Sequence, residues 1–386
     1  MKALFIIHCQ DPIYGASRSI GNLIRNLDAD VDIIFPMKIR KDGITQEQID
    51  TFYGSRVRNV WYLPQPLRLT ALVDALGIQH HVKSFVKDIL YFFTQPIYRH
   101  IYQKGQYDFI HLNSLTLYPM LKKKWPMFLH IRETAREKQN FWNRRFSERL
   151  EQAHGIIYIN REIQQACPES QTPSLVLINP YDQTAVAKVD VLQTRQRFNL
   201  TGDETVYAII GAVVPFKGVD FVIRAFRKAQ LHHAVLLVVG KDSADRNYRQ
   251  KLEQETAGDP RIRFLGEIED IAAVYRIVDY VVRGDFSSGA GRTVFESLYS
   301  GGGAILQGSK EENLASMELP PALANKVHFY PIEDQEALTA VFEATEHSRF
   351  VQREYVTNVP QYVERLVAFM LRNNGRANKR INEKER

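Results

Sequence analysis

The chain has little of what would mark a disulfide-built, metal-bound or membrane-spanning protein. Of its 386 residues only Cys9 and Cys167 are cysteine. That is too few for a disulfide framework, and their spacing is not that of metal ligands. They read as two structural thiols in a reducing compartment. No window approaches the roughly 18 uninterrupted apolar residues of a membrane-spanning helix. The start, MKALFIIHCQD, has an apolar run shorter than a secretory h-region and turns polar at once. There is no internal repeat and no low-complexity tract. These absences lead to the expectation of a cytoplasmic protein with no metal and no cofactor.

What is present is ordinary globular material, 45% apolar and 24% charged, too long for one core and suited to two domains. The net charge of +6 is unevenly placed. Residues 1–180 hold 23 Lys and Arg against 16 Asp and Glu, residues 181–371 hold 21 against 26, and the last fifteen hold 6 against 2. Unlike halves suggest unlike partners, and the basic half could meet nucleic acid or an anionic membrane. No aromatic–basic motif of a known nucleic-acid module is present, so nucleic acid is not an expected partner. Residues 373–386, NNGRANKRINEKER, have no apolar face and are expected to form a disordered basic tail.

Continuous apolar runs, rather than alternating ones, mark strands buried on both faces of a parallel sheet. KALFIIH, VDIIFP, NVWYLP, YDFIHLNS, PMFLHIRE, GIIYIN and SLVLINP are such runs in the first half. TVYAIIG, AVLLVVG, IRFLGEI, DYVVRG, AILQG and VHFYPIE are their counterparts in the second, separated by helical patterns such as VDFVIRAFRKA and IAAVYRIV. This alternation predicts two doubly wound α/β domains, 1–180 and 181–357, with a helix near 358–372 packing back on the first. Ligands of such sheets lie beyond the carboxyl ends of the strands, so the residues after each strand carry the chemistry.

Gly284–Leu306, GDFSSGAGRTVFESLYSGGGAIL, crowds glycine and serine before a short helix. Gly289, Ala290 and Gly291 let the backbone approach a ligand closely. The first helical turn, with Arg292 and Thr293, offers unpaired N–H groups at the positive end of the helix dipole. That is a cradle for a diphosphate. Glu296 lies one turn in, where its carboxylate can accept both hydroxyls of a ribose. Thr293 to Glu296 also fits a capping box, in which Glu296 reaches back to its own helix start. The residues alone leave the two readings open. Gly211–Gly218, GAVVPFKG, repeats the strand–loop–helix order. Its Lys217 either neutralises a phosphate or is a solvated loop lysine.

In order and spacing, GAVVPFKGVDFVIRAF, LLVVG, RIRFLG, AVYRIVDYVV and SGAGRTVFESLYSGGGAIL resemble the retaining nucleotide-sugar glycosyltransferases of family 4. The resemblance runs through most of 205–310 and less specifically through 1–180. It implies the GT-B fold, two Rossmann-like domains facing each other across a cleft. A nucleotide-diphospho-sugar would sit in the second half and the acceptor in the first. Lys217 is then implied to hold the diphosphate and Glu296 the ribose, both in catalytic roles with His130. Tyr14–Ser19 corresponds to the loop over the donor phosphates, with Gly15 at the close approach and Arg18 toward donor phosphate or an anionic acceptor. His130, in HIRE, is implied to stand beside the transferring sugar, with Arg132 and Glu133 shaping the acceptor side. His111 and Asn113, at the end of the preceding strand, are further candidates. The sequence departs from the family twice. Ser288 stands where the family has a second Glu against the donor sugar, and Ala212 where many members carry Arg. Arg283 and Arg292 are the nearby residues that could replace that charge.

DADVD, Asp28–Asp32, has the form of a metal clamp but falls between a helix and the second strand and reads as a solvated turn. Leu67–Gln103 mixes Arg68, Lys83, Lys87 and Arg99 with aromatic and aliphatic residues. It is either an amphipathic run for an anionic membrane surface or helices packed on the core with a solvated basic face. The resulting expectation is a metal-independent, retaining glycosyltransferase, cytoplasmic or peripheral on the inner face of the membrane. It would move sugar from a UDP- or GDP-type donor to a glycan or lipid-linked acceptor in surface polysaccharide synthesis. Two alternatives share the fold: a catalytically inactive nucleotide- or sugar-binding protein, and a non-hydrolysing sugar epimerase, which needs acid–base carboxylates.

Overall fold

The structure, a computed structural model, describes residues 1–10, 15–37, 44–66, 78–133, 141–242, 246–285, 290–350 and 353–374. Its contacts divide into two units, Met1–Pro180 with the segment from Asn358 onward, and Tyr181–Thr357. The first unit contains β1 (Lys2–Ile6), β2 (Asp30–Pro36), β3 (Val57–Leu63), β4 (Phe109–Leu112), β5 (Met127–Ile131), β6 (Gly155–Tyr158) and β7 (Ser174–Val176). They form one parallel sheet in the order β3–β2–β1–β4–β5–β6–β7. The second unit contains β8 (Thr205–Ile210), β9 (Ala234–Val239), β10 (Ile262–Gly266), β11 (Tyr280–Val282), β12 (Gly303–Gln307) and β13 (Val327–Tyr330). Their order is β10–β9–β8–β11–β12–β13, again all parallel.

Both orders have the same logic. The chain winds outward from a central strand on one side, then returns and winds outward on the other. The loops part where the direction reverses, between β1 and β4 and between β8 and β11, which is where ligands of such sheets bind. Alternate residues of a strand feed opposite faces. Leu4 and Ile6 enter one apolar layer of the first unit, while Ala3 and Phe5 enter the other. The helix Val359–Arg372 belongs to that second layer, burying Tyr362, Leu366 and Met370 beside Leu23 and Ile24 of the helix Gly15–Asn26. Gly155 makes room for it, since a Cβ there would lie 2.7 Å from the Phe369 ring.

Three expectations need correction. Asp28–Asp32 is not a solvated turn throughout. Asp30 opens β2, and Asp32 is only 1% exposed, accepting hydrogen bonds from the Tyr107 hydroxyl at 2.7 Å and from Asn59 N and Nδ2 at 3.1 and 2.8 Å. The apolar neighbours Val31 and Ile33 carry the strand through this acidic stretch, and a register slip between Val31 and Asp32 accommodates the carboxylate. Among the described residues, no three His, Cys, Asp or Glu side chains converge as metal ligands do. The basic tail begins later than expected, because Asn374 is buried and its amide donates to the Asp108 carbonyl. Residues 375–386 lie outside the described residues.

The third correction concerns Leu67–Gln103. From Ile78 to Gly105 it is one helix with an internal Pro96, and residues 67–77 lie outside the described residues. Tyr98, Ile101 and Tyr102 face the core. The opposite side is not the solvated basic face of a core-packed helix but an apolar one, with Ile89, Phe92, Phe93 and Ile97 exposed. No helix among the described residues is long and apolar enough to cross a membrane.

Candidate functional site

The loops after β8, β9 and β11 touch one another backbone to backbone, and glycine makes this possible. Gly218 has φ +61°, and a Cβ on it would lie 2.0 Å from the Gly284 carbonyl oxygen. A Cβ on Gly284 would in turn lie 2.4 Å from the Gly218 carbonyl oxygen. Gly240, at φ +146°, meets Gly211 in the same way, its Cβ position being 1.8 Å from the Gly211 carbonyl oxygen. No other residue type fits these contacts. They bring the segment carrying Lys217 against the segment carrying Arg283 and Asp285, at the carboxyl ends of the two strands where the winding reverses.

Asp285 is the centre of charge there, and nothing in the sequence singled it out. Its carboxylate is buried and accepts from Lys217 Nζ at 3.0 Å and from Arg283 Nε at 2.7 Å, with Arg283 Nη2 as a further partner. The loop is pinned from β12 and β13, by Gln307 Nε2 donating to the Asp285 carbonyl and the Tyr330 hydroxyl donating to the Arg283 carbonyl at 2.6 Å. Burial alone would raise the Asp285 carboxyl. The Arg283 hydrogen bonds and charge, with Lys217, overcome this and hold it down at about 2. Arg283 also packs under the glycine loop, its Nη1 only 2.6 Å from where a Cβ of Gly291 would be. Arg283 therefore stands at the loop, while Ala212 is exposed.

The helix Arg292–Tyr299 begins at Gly291, which offers no side-chain cap. The cap position is Gly291 and not Thr293, so Thr293 and Glu296 do not stand in the positions of a capping box. The Glu296 carboxylate is 5% exposed and accepts from the Tyr275 hydroxyl and from Arg292 Nε, each at 2.7 Å. The Arg292 guanidinium lies over the Tyr181 ring at 5.1 Å, and Tyr181 stacks on Phe295 at 5.2 Å. Arg292 is thus committed to Glu296, and Arg283 is the cation at the loop. Thr293 is the second residue of this helix and Ala290 precedes its cap. Ser288 and Gly289 lie outside the described residues.

Gly15, Arg18, Asn113, His130, Arg132 and Glu133 fall in the other unit. Gly15 and Arg18 occupy the first turn of the helix after β1, and Arg18 is half-buried. The rest form a polar cluster at the carboxyl ends of β4 and β5, with Asn113 and His130 buried and Arg132 and Glu133 half-buried. Arg132 Nε donates to Asn113 Oδ1 at 2.8 Å, and another of its nitrogens reaches Asn179. Glu133 accepts from the Ser114 hydroxyl at 2.8 Å and from Leu115 N at 3.0 Å. His8 Nδ1 meets the Asn113 carbonyl at 3.0 Å. His111 Nε2 lies 3.1 Å from His130 Nδ1, and Arg132 Nη2 approaches that same nitrogen at 3.3 Å. Arginine only donates, so His130 Nδ1 is an acceptor and its proton sits on Nε2, which has no partner. His130 is wholly enclosed. Burial, then the Arg132 charge, push His111 down to about 3 and His130 well below its ordinary value. His8, Ser114, Asn179 and Tyr275 join these clusters without having been foreseen, because isolated residues of these types carry no spacing signal.

Residues 190–317 match the family model of glycosyl transferases group 1, a span that holds Gly211, Lys217, Arg283, Asp285, Gly291 and Glu296. Comparison with curated protein sequences yields no match. Solved structures of similar fold include HepE of Anabaena in complex with UDP, 16% identical, with a TM-score of 0.67 over 95% of this chain and 99% of that one. Sucrose-phosphate synthase of Thermosynechococcus elongatus is 17% identical, with a TM-score of 0.67 over 99% of each chain. WaaG, a glycosyltransferase involved in lipopolysaccharide biosynthesis, is 14% identical, with a TM-score of 0.56 over 97% of this chain and 95% of that one. At such identities the likeness establishes the fold. The chain has the two-domain α/β architecture of the GT-B proteins, and the matched domain supports a glycosyltransferase enzyme.

Two stability predictions follow from the charges. Asp285 is depressed on folding, so its contribution is present above about pH 4 and disappears as pH falls through about 2. Asp285→Asn is expected to cost the second unit about 2 kcal/mol in urea unfolding at neutral pH and almost nothing at pH 2. An unchanged midpoint at neutral pH would contradict the assignment. His111 and His130 are held neutral when folded and take up protons on unfolding. The first unit should therefore lose stability as pH falls from about 6.5 toward 3, by about 1.4 kcal/mol per pH unit for each histidine. His111→Phe should reduce that slope by one histidine's share, and an unaltered slope would show that the imidazole titrates freely.

Proposed function

We propose that the chain is a glycosyltransferase that takes a sugar from a nucleotide-diphospho-sugar, of UDP or GDP type, to a glycan or lipid-linked acceptor. The observation that carries this is the pairing of Lys217 and Arg283 on Asp285, beside a helix start that has no side-chain cap. Lys217 and Arg283 share the Asp285 carboxylate, and Arg292 pairs with Glu296 on the helix that follows the loop. The Arg283 side chain is 14% exposed and that of Lys217 38%. Arg283 therefore stays with Asp285, and Lys217 is the arm free to share itself with an arriving phosphate. The N–H groups after Gly291 complete an anion cradle in which developing charge on a leaving diphosphate is met without reorganisation.

This reading gives Glu296 to the ribose hydroxyls: its carboxylate, held by Tyr275 through one oxygen and by Arg292 through the other, is an acceptor of the kind a ribose diol needs. In the retaining, metal-independent chemistry proposed, the acceptor hydroxyl attacks on the face the diphosphate leaves, and no protein nucleophile is required. His130 Nε2–H is the donor this reading assigns to the transferring sugar. Because that imidazole is wholly enclosed, the assignment requires that it be uncovered when substrate binds. The acceptor side falls to the first unit, with Arg132 and Glu133. HepE, which shares the fold, was solved with UDP and with UDP-glucose, which favours UDP as the first nucleotide to try. The work would take place in the cytoplasm, with the acceptor presented at a membrane face. Ser288, in place of a donor-sugar carboxylate, favours as second reading a protein that binds the nucleotide without turnover.

Thermal-shift titrations with UDP, GDP, ADP and CDP should show selective stabilisation by one nucleotide. Lys217→Ala and Glu296→Ala should each weaken its binding by about tenfold or more, the loss of one charge-assisted hydrogen bond. If millimolar nucleotide leaves the wild-type melt unmoved, the donor reading falls. Binding without release of UDP from any UDP-sugar and acceptor would select the second reading.

A further inference from the structure

The helix Ile78–Gly105 presents two apolar sides, of which only one enters the core formed by the described residues. Its inner side enters the core through Tyr98, Ile101 and Tyr102. On the other, Val86, Ile89, Leu90, Phe93 and Ile97 follow one another at helical spacing, all exposed, with Phe92 at the edge. Phe92 and Phe93 are 70% and 71% exposed, and their rings meet edge to face at 5.6 Å. Single exposed apolar residues are normal, but a contiguous stripe of this length marks a contact surface.

Charge selects the partner. Lys122 reaches back to the helix through Gln95 Oε1. Its amine is held below the ordinary lysine value by burial and then by the charges of Arg99 and Arg149, so these cations crowd one edge of the stripe. Among the described residues none of Arg99, Lys122 and Arg149 has a carboxylate partner. Lys123 and Lys124 follow immediately, both exposed. From Val86 to Lys124 the chain carries Lys87, Arg99, Lys104, Lys122, Lys123 and Lys124 against Asp88 and Asp108, and Asp108 is engaged by the backbone N–H of Lys2. Apolar side chains edged by an excess of cations complement a surface that is oily within and anionic at its rim.

We infer that the outward stripe of this helix, Val86 to Ile97, with the cations around Lys122, docks the protein onto an anionic lipid bilayer. The phenylalanines enter the acyl boundary, and the lysines and arginines meet the headgroups. This is independent of the donor reading, since it concerns the first unit alone and needs no turnover.

The test is partitioning of the full chain onto vesicles of phosphatidylcholine with phosphatidylglycerol and onto phosphatidylcholine alone, with nucleotide thermal shift as a check on the second unit. The chain should bind the anionic vesicles, fall off as salt is raised, and bind the neutral ones far less. Phe92→Ser with Phe93→Ser should lower the partition coefficient at least about tenfold. Arg99→Glu with Lys123→Glu should do the same and abolish the salt dependence. Both variants change exposed side chains and should melt as the wild type does. Absence of binding to anionic vesicles, or binding unaltered in the phenylalanine variant, would overturn the inference. A wild-type dimer that becomes monomeric in that variant would assign the stripe to a second copy of the chain, and would overturn it equally.

Discussion

Gly218 and Gly284 meet where neither could carry a side chain, and the candidate site depends on that contact. Each Cβ position lies inside the other residue's backbone, so the loops after β8 and β11 can close only as they do. Closure sets Lys217 and Arg283 on the Asp285 carboxylate. Two cations so near each other would repel if left alone, and the buried Asp285 resolves this while itself being kept ionised by them. The loops thus hold two cations together at the proposed anion site. Its more enclosed cation is fixed in place, and its more exposed one is able to shift toward a ligand.

The two units repeat one device with different contents. In each, polar residues gather at the carboxyl ends of strands flanking the reversal of winding. In the second unit the gathering is charged and surrounds an uncapped helix start. In the first it is a neutral pair of histidines approached by Arg132, which Asn113 in turn anchors. An imidazole pair enclosed beside a guanidinium is held without protons, and the tautomer of His130 follows from the fact that arginine cannot accept. The positions differ in chemistry because one set of loops presents cations and glycine, and the other presents hydrogen-bonding groups without net charge to spare.

Much of this was legible beforehand. Buried parallel strands announce themselves as unbroken apolar runs, and each of the thirteen strands of the two sheets overlaps a run read from the sequence, β2, β3 and β12 beginning one or two residues before theirs. The glycine-rich loops, Lys217 and Glu296 were also visible, because glycine before a helix has a specific conformational meaning. Asp285 was not, since one aspartate between Gly284 and Phe286 looks like any turn residue until β8 and β11 are side by side. Asp32 was misread because closely spaced acidic residues suggest solvent, whereas β2 is buried on both faces from Val31 to Phe35 and Asp32 meets Tyr107 and Asn59 there. The helix Ile78–Gly105 was legible as helix, and its mixture of basic and apolar residues left a membrane-facing run and a core-packed helix both open. Which side of a helix meets the core is decided by the sheet beneath it, and composition does not record that.

The central claim is that the second unit binds a nucleoside diphosphate at the loop beside Asp285. A structure determined with UDP present tests it most directly. The account predicts density for the diphosphate against Lys217 Nζ and the backbone N–H groups that follow Gly291, with the ribose at Glu296. UDP bound elsewhere, or Lys217 still held by Asp285 with no contact to an ordered phosphate, would contradict it.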